Sequence, residues 1–466
     1  MKETYLTIKE PERKVSIYAS ADVLVVGGGP AGVSAAIASA RNGAKTILLE
    51  RYGYLGGMAT GGLVILIPHL SDGTKKQWIA GLCQEIIDRL DDIGGVLHPK
   101  YEDLGSSDPD LLTVWSEYLF FTIGGKVRLS AIVDPQVLKC VLDSMMEEAG
   151  VKLCFHCWAV QALMDNNKIK GVVFESKSGQ KAIMAKIIID ATGDGDIFAS
   201  AGTSFNDVPD LTLRTSTLGL ICRIGNVDTK KYSDFMKKES RKYAELMNQL
   251  EAMGGFSLIL KSNQEDVVWV NNYFPKWKPN YIESFVKEET EKKQLSALNF
   301  EDLTFVEISA RKGIMVTINF LKKYIPGFEK SFILEIAPQI GTRGSRRLVG
   351  EYIVTKEDVF SGIMHEDTIA VCPPINGNIS KEHPLAYIPF RSLLPRKLEN
   401  LIVAGRCFSS DQVANDILNI IPFCIAMGQA AGTAAAIAAK ANIIPKDINY
   451  TLLKQQLINQ NVPLPE

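Results

Sequence analysis

Apolar positions are spaced unevenly along the 466-residue chain, and their spacing predicts its elements. Near the start, ADVLVVGGGPAGVSAAIASARNGAKTILLE (residues 21–50) opens with a continuous apolar run over Asp22 to Val26, the pattern of a buried strand. The Ala, Ser and Ile run after the glycines predicts a helix, and Thr46 to Leu49 a second strand. Residues 78–142 alternate amphipathic helical patterns with loops. Residues 151–196 then carry four short strand patterns, with turn signals at Asn166–Asn167 and Ser178–Gly179. The last of these, Ile187 to Ile189, is a buried strand that runs into the turn DATGDGD. From Asp207 to about Ile336 the pattern changes to lysine- and glutamate-rich helical stretches, with Trp269 and Trp277 in exposed-looking positions. A strand followed by a glycine turn returns in LENLIVAGRCFSSDQVA, residues 398–414.

The most apolar stretch, IIPFCIAMGQAAGTAAAIAAK (residues 420–440), predicts a helix with Pro422 in its first turn. It is long enough for a bilayer and contains Gly428-x-x-x-Gly432. Alanine and glycine contribute little transfer energy, however, and suit a helix packed tightly inside a fold, so no membrane partner is expected. The pattern as a whole predicts an α/β protein in three portions. Residues 1–206 form the first part of a Rossmann-like dinucleotide-binding domain with an inserted β-meander. Residues 207–336 form an α+β substrate or cap lobe, and 337–466 bring a substrate-site segment and return to the first domain.

Charge and cysteine content narrow the partners. A formal net charge of −2 gives no broad attraction to nucleic acid or anionic membrane, so neither is an expected partner. The opening MKETYLTIKEPERKVSIYAS carries charges without an apolar run, which reads as cytoplasmic rather than secretory. Eight scattered cysteines fit reduced core residues. Cys154 and Cys157 form the single C-x-x-C; on one strand they point to opposite faces, so neither a metal nor a redox disulfide is expected there.

The glycine loop carries the first chemistry. Gly27, Gly29 and Gly32 stand between a strand and a helix, as a dinucleotide loop requires. The first permits the tight turn, the second lets a pyrophosphate approach the backbone, and the third lets helix and strand pack. Ala36 and Gly43 keep the same helix face small. Amide groups at the helix start favour the phosphate charge. Glu50, ending the second strand, is placed to accept hydrogen bonds from ribose hydroxyls. The glycine-rich RYGYLGGMATGGLV that follows is expected to be a functional loop. No second G-x-G-x-x-G stands at a strand-to-helix turn, so no separate nicotinamide dinucleotide site is visible.

Three segments together, DVLVVGGGPAGVSAAIASARNGAKTILLE, IIIDATGDGD and NLIVAGRCFSSDQVANDILNIIPFCIAMGQAAGTAAA, resemble the FAD-contacting segments of the glutathione-reductase-like flavoproteins, in the same order. Within that superfamily, YLGGMATGGLV, GTRGSRRLVGEY and YIPFRSLLP are similar to a bacterial group of FAD-dependent oxidoreductases related to succinate dehydrogenase and fumarate reductase flavoproteins. The resemblance implies FAD as cofactor. It places Gly27, Gly29, Pro30, Ala31 and Gly32 at the pyrophosphate, Glu50 and Arg51 at the adenosine ribose, and Ala159 beside adenine. It adds Gly56, Gly57, Met58, Ala59 and Thr60 of the glycine-rich loop, Thr192 and Gly193 along the cofactor, and Gly405, Asp411 and Gln429 from the last portion. Relatives commonly carry an arginine where this chain has Asn419. The succinate dehydrogenase type attaches its flavin through a histidine in the loop after the first unit. None occurs in RYGYLGGMATGG, and His69 lies too far along to correspond, so it is expected to be an ordinary loop or surface histidine and the FAD non-covalent.

The flavin performs the redox chemistry, and the protein positions a substrate and tunes the ring. The start of the Pro422 helix suits the negative charge of a reduced flavin. In GTRGSRR, Arg343, Arg346 and Arg347 are candidates either for binding a carboxylate or for bracing two lobes by salt bridges, Arg343 being the choice for substrate. His383 and Tyr387 are candidates for proton transfer, and Arg391 for a further anion contact. Asp194 and Asp196 are expected to hydrogen-bond the backbone of their own turn. The leading expectation is an oxidoreductase that moves a hydride between flavin N5 and a small organic substrate, such as a carboxylic acid. The sequence names no electron donor or acceptor. A flavin monooxygenase is the alternative enzyme class, although the serine and arginine of that class are missing after Asp196. A flavin-bearing RNA-modification or scaffold protein is disfavoured by the balanced charge, and a disulfide reductase by the lack of a close cysteine pair in the loop.

Overall fold

Seven strands build the main sheet: β1 (Ser16–Val26), β2 (Thr46–Leu49), β3 (Lys152–Cys154), β4 (Trp158–Asp165), β5 (Lys168–Glu175), β6 (Lys181–Asp190) and β7 (Leu401–Val403). They are seen in a computed structural model that describes residues 8–9, 11–275, 295–375 and 383–465. The order is β3-β2-β1-β6-β5-β4, with β7 also on β6. β1 is central and pairs in parallel with β2 and β6. β5 and β4 fold back antiparallel onto the first half of β6, and β7 runs parallel beside its last residues, Ile188 to Asp190. This is the expected α/β arrangement with its meander. β1 is longer than its apolar run because residues 16–21 are mostly exposed yet still paired to β6.

The C-x-x-C does not lie on one strand. β3 ends at Cys154, His156 turns the chain with φ +56°, and Cys157 donates its amide to the Glu50 carbonyl before β4 begins. Among the described residues no group of three or more His, Cys, Asp or Glu able to hold a metal occurs.

Helices α1 (Pro30–Arg41), α2 (Pro135–Ala149) and α5 (Ile421–Ala441) pack on the sheet, while α3 (Phe300–Tyr324) packs on the strand Thr217–Gly219 and α4 (Gln412–Leu418) lies just before α5. α1 and α5 lie in backbone contact. A Cβ added at Gly428 would land on the Ala31 carbonyl oxygen, and one at Gly432 on that of Ala35. Ser34 Oγ donates across the same seam to the Ile425 carbonyl at 2.8 Å. α5 is the one helix among the described residues long and apolar enough to cross a membrane, and it is buried inside the fold.

The middle portion folds into small antiparallel sheets. One has the order Ile259–Lys261, Val268–Val270, Cys222–Gly225, Phe332–Ile336. Another joins Thr217–Gly219 to Phe274–Pro275 and to Gly341–Thr342. Trp269, expected at the surface, is buried at 4% exposure, because Val268–Val270 is an inner strand with partners on both sides. Trp277 lies outside the described residues. Buried Arg223 pairs within this portion with Glu335 at 2.5 Å and ties it to the first through Asp134, the N-cap of α2, at 3.5 Å.

Candidate cofactor and substrate site

At the carboxyl ends of β1, β2 and β6 the chain encloses a cavity of about 820 Å³. That is toward the upper end of the roughly 300–1,000 Å³ of small-molecule sites, and open α/β sheets bind ligands at this edge. Gly27, with φ +100°, makes the turn that a side chain there would block by striking the Ala191 carbonyl. Gly29 is the N-cap of α1, caps it with no side-chain hydrogen bond, and would project a Cβ into space with nothing within 4 Å. Pro30 and Ala31 continue the wall. Gly32 does not reach it: a Cβ there would land on the Gly27 carbonyl oxygen, so this glycine serves packing rather than ligand.

Glu50 lines the cavity and also fixes its floor, accepting from the amides of Gly28 at 2.6 Å and Tyr52 at 2.8 Å. Burial raises its pKa against the pull of those hydrogen bonds. Arg51 lies over the rings of Tyr52 and Trp158, and Cys157, Trp158 and Ala159 form the wall beside it. Of Gly56 to Thr60 in the glycine-rich loop, Gly57 and Met58 face the cavity. Gly56, Ala59 and Thr60 face inward: Gly56 turns at φ +93°, Ala59 is buried, and Thr60 Oγ1 donates to the Leu55 carbonyl at 2.5 Å.

The turn after β6 puts Thr192 and Gly193 on the wall. Its backbone is held by Asp190, not by Asp194 or Asp196. The fully buried Asp190 carboxylate accepts from the amides of Thr192, Ile197 and Phe198 and from Thr192 Oγ1, at 2.7–3.1 Å. Burial pushes its pKa up to about 6 despite these donors. Asp194 instead pairs with Arg406 at 2.7 Å and accepts from Ser345 Oγ, while Asp196 pairs with Arg346 at 3.0 Å. Arg346 therefore braces segments distant in sequence.

Gly405, with φ +92°, is on the wall beside Ile420, Ile421 and Cys424 at the start of α5, whose N-cap makes no side-chain hydrogen bond. Asp411 and Gln429 are not on the wall. Asp411 is consumed as the N-cap of α4 and by the Lys356 amide. Gln429 lies eight residues into α5, about 12 Å along its axis, and accepts from the Leu82 amide.

Arg343 lines the cavity, where its guanidinium has no hydrogen-bond or ion-pair partner among the described residues. Burial, then the charge of Arg214, pushes its pKa down to about 9, with Asp416 opposing. Asn419 donates to the Arg343 carbonyl at 2.6 Å and so supports this arginine.

His383, Tyr387 and Arg391 lie off the wall. Both ring nitrogens of buried His383 are bonded, Nε2 accepting from the Ile375 amide and Nδ1 facing the Pro384 carbonyl at 2.7 Å. Tyr387 belongs to a two-stranded ribbon opposite Val371. Arg391 pairs with Asp367 at 3.2 Å and stacks over Tyr352. His69 moves the other way. It is buried at 1% exposure, takes φ +63°, and lines the cavity. Arg214 was invisible from sequence; it lines the cavity and donates to the Asp416 carbonyl.

An uncapped helix start beside Gly29, a second at α5 and an unpartnered arginine fit a large, elongated anion, and FAD is one. Thiamine thiazole synthase of Methanococcus vannielii is 28% identical over 184 residues, covering 37% of this chain and 56% of that protein. Digeranylgeranylglycerophospholipid reductase 2 of Methanopyrus kandleri is 29% identical over 177 residues, 37% of each chain. This chain thus spans about half or less of the relatives' length. Among solved structures, a geranylgeranyl bacteriochlorophyll reductase-like protein of Thermoplasma acidophilum is 14% identical with TM-score 0.43, over 95% of this chain and 82% of that one. The p-nitrophenol 4-monooxygenase of Pseudomonas putida is 12% identical with TM-score 0.44, over 94% and 84%. The profile of the family described as FAD dependent oxidoreductase matches residues 22–457, and the chain belongs to that family of FAD-using enzymes.

Proposed function

We propose that this flavoenzyme moves a hydride between FAD and a small organic acid, with Arg343 holding the acid's carboxylate. The supporting observation is the Arg343 guanidinium, set in the cavity wall with no ion-pair or hydrogen-bond partner among the described residues. A charge removed from water and left unpaired is costly, and a bidentate carboxylate repays that cost. Bound FAD supplies hydride acceptance and donation at N5. The chain's own residues do the rest. Gly27, Gly29 and the start of α1 hold the pyrophosphate, and Glu50 faces the adenosine ribose. Ala159 borders adenine, and Thr192, Gly193 and Gly405 line the remainder. The start of α5 supplies the partial positive charge that stabilises a reduced ring. Residues 207–336 act as the substrate lobe, contributing Trp269 and Asn272 to the wall. A second substrate or partner, still to be identified, returns the flavin to its starting state. The order of the FAD-facing segments supports a place among the glutathione-reductase-like flavoproteins, beside the succinate dehydrogenase type.

The test is anaerobic mixing of holoenzyme with a panel of organic acids, alcohols and amines, following flavin bleaching at its visible absorbance maximum. Bleaching by a carboxylic acid is expected. Bleaching by alcohols or amines alone overturns the reading.

A further inference from the structure

His69 carries a ring nitrogen that faces ligand space with its chemistry already set by the protein. Its backbone takes φ +63°, a conformation histidine adopts more readily than most side chains, and its ring lies 4.7 Å from that of Phe120. Nδ1 is engaged by Arg128 Nη2. A guanidinium has donors and no acceptor, so Nδ1 must supply a lone pair, and the proton of the neutral ring then resides on Nε2. Arg128 cannot swing away. It is fully buried, and its other nitrogens donate to the carbonyls of Pro374 at 2.9 Å and Phe120 at 3.3 Å. The surroundings also oppose an imidazolium: burial first, then Arg128, Arg214 and His383. Nε2–H has no acceptor among the described residues, although the ring lines the cavity.

We propose that His69 donates a hydrogen bond from Nε2 to an acceptor oxygen of the substrate, and that Arg128 is the positioning residue that keeps it a donor. The proposal rests on the organic-acid reading above and narrows it. The acid carries a second acceptor oxygen, a carbonyl or a further carboxylate, because Arg343, Arg214 and His69 all present donors or positive charge to it. No proton is transferred, since a neutral imidazole that lost its Nε2 proton would become an anion. The hydrogen bond instead strengthens as negative charge develops on the substrate oxygen.

The test uses holoenzyme labelled with ¹⁵N-histidine, in which five histidines give few enough signals to assign by His69→Asn. Asparagine tolerates the backbone conformation, its side-chain oxygen still accepts from Arg128, and its shorter amide group does not reach the Nε2 position, so this variant withdraws the Nε2 donor rather than the fold. His69 is expected to show one bare and one protonated nitrogen from pH 5.5 to 8, the proton on Nε2. Arg128→Met should mix the tautomers or make the ring titrate, and Arg128→Lys, which keeps a cationic donor, should restore the pattern. Oxalate, a redox-inert probe with two carboxylates, should shift the Nε2 signal and the flavin absorbance, and should bind roughly 10- to 100-fold more weakly to His69→Asn, the size of one hydrogen bond to a charged group.

A protonated Nδ1, or an imidazolium in this pH range, overturns the proposal. So does an altered ligand-free flavin spectrum in His69→Asn, which would turn the ring toward the cofactor. If oxalate binding weakens in Arg343→Lys but not in His69→Asn, the donor role fails while the carboxylate reading stands. The reverse pattern removes Arg343 and keeps His69. Oxalate that moves neither signal overturns both ligand assignments.

Discussion

Gly29 and Gly32 stand three residues apart in one motif and have opposite environments. A Cβ at Gly29 meets open cavity, and its φ of −72° is one any residue adopts, so Gly29→Val should fold normally and lose FAD. Gly32→Ala should instead lower thermal stability, because its methyl group strikes the Gly27 carbonyl. Flavin content per folded molecule and melting temperature, measured on both, separate the two; normal flavin in Gly29→Val would remove this loop from the site. Arg343→Lys keeps the charge and loses the fork. It should cost on the order of 1.5–3 kcal/mol in kcat/KM for the acid, with FAD content and melting temperature unchanged. A fall in stability with kcat/KM intact would make Arg343 a brace like Arg346.

Asp190 ties the same scale to pH. Its folded pKa is raised to about 6, so its contribution to folding is complete below the ordinary carboxyl range and is lost as pH rises through about 6. The stability gap between wild type and Asp190→Asn should therefore shrink between pH 4 and 7, by about 2.4 kcal/mol. Urea unfolding of both proteins measures it, and a gap constant across that range means the carboxyl is ionised throughout. Gly32 was legible as a packing glycine because it acts on Gly27, five residues away in the same motif. His69 was not, since its burial and tautomer depend on Arg128, 59 residues on. Asp190 was passed over for Asp194 and Asp196 because sequence shows carboxylates in a turn but not which one points at the backbone.

For whole elements, legibility followed burial. β2 matched its apolar run from Thr46 to Leu49 because all four of its residues are buried, whereas β1 was read only along its buried half. The strand containing Trp269 was missed because the surrounding lysines and glutamates mark outer faces, while its inward position depends on two neighbours joined to it through distant parts of the chain. The seam of α1 and α5 was legible in part: small residues signalled close packing but not the partner. That seam gives a sharp expectation. In Gly432→Ala the new methyl group falls on the Ala35 carbonyl, and neither backbone can yield without shifting the sheet beneath. The variant should lose several kcal/mol, the upper range of overpacking costs, and because the α1 and α5 starts both line the cavity it should also bind FAD more weakly. Unchanged denaturation midpoint and flavin affinity would show that the two helices can slide apart freely.

Across the whole molecule, the cavity draws its walls from all three portions of the chain. They run from the glycine loop, through Arg214 and Trp269, to Arg343 and the start of α5. A ligand filling such a cavity binds the assembled fold and not the unfolded chain, so it stabilises by mass action. No histidine occurs in the glycine-rich loop, and the nearest, His69, has Nδ1 engaged by Arg128. The flavin should accordingly be held by these walls alone and leave in the supernatant when the protein is precipitated by acid or heat. Removing FAD under mild conditions should lower the melting temperature of the entire chain in one transition, since no portion keeps a complete wall without the others. Restoring FAD to 100 times its Kd should return about 2.7 kcal/mol, and NAD at equal concentration should return none, there being one glycine loop of this type and no second. Flavin retained in the precipitate would mean a covalent bond. Separate transitions with only one responding to FAD would confine the cofactor to a single portion and leave Arg343 outside its reach.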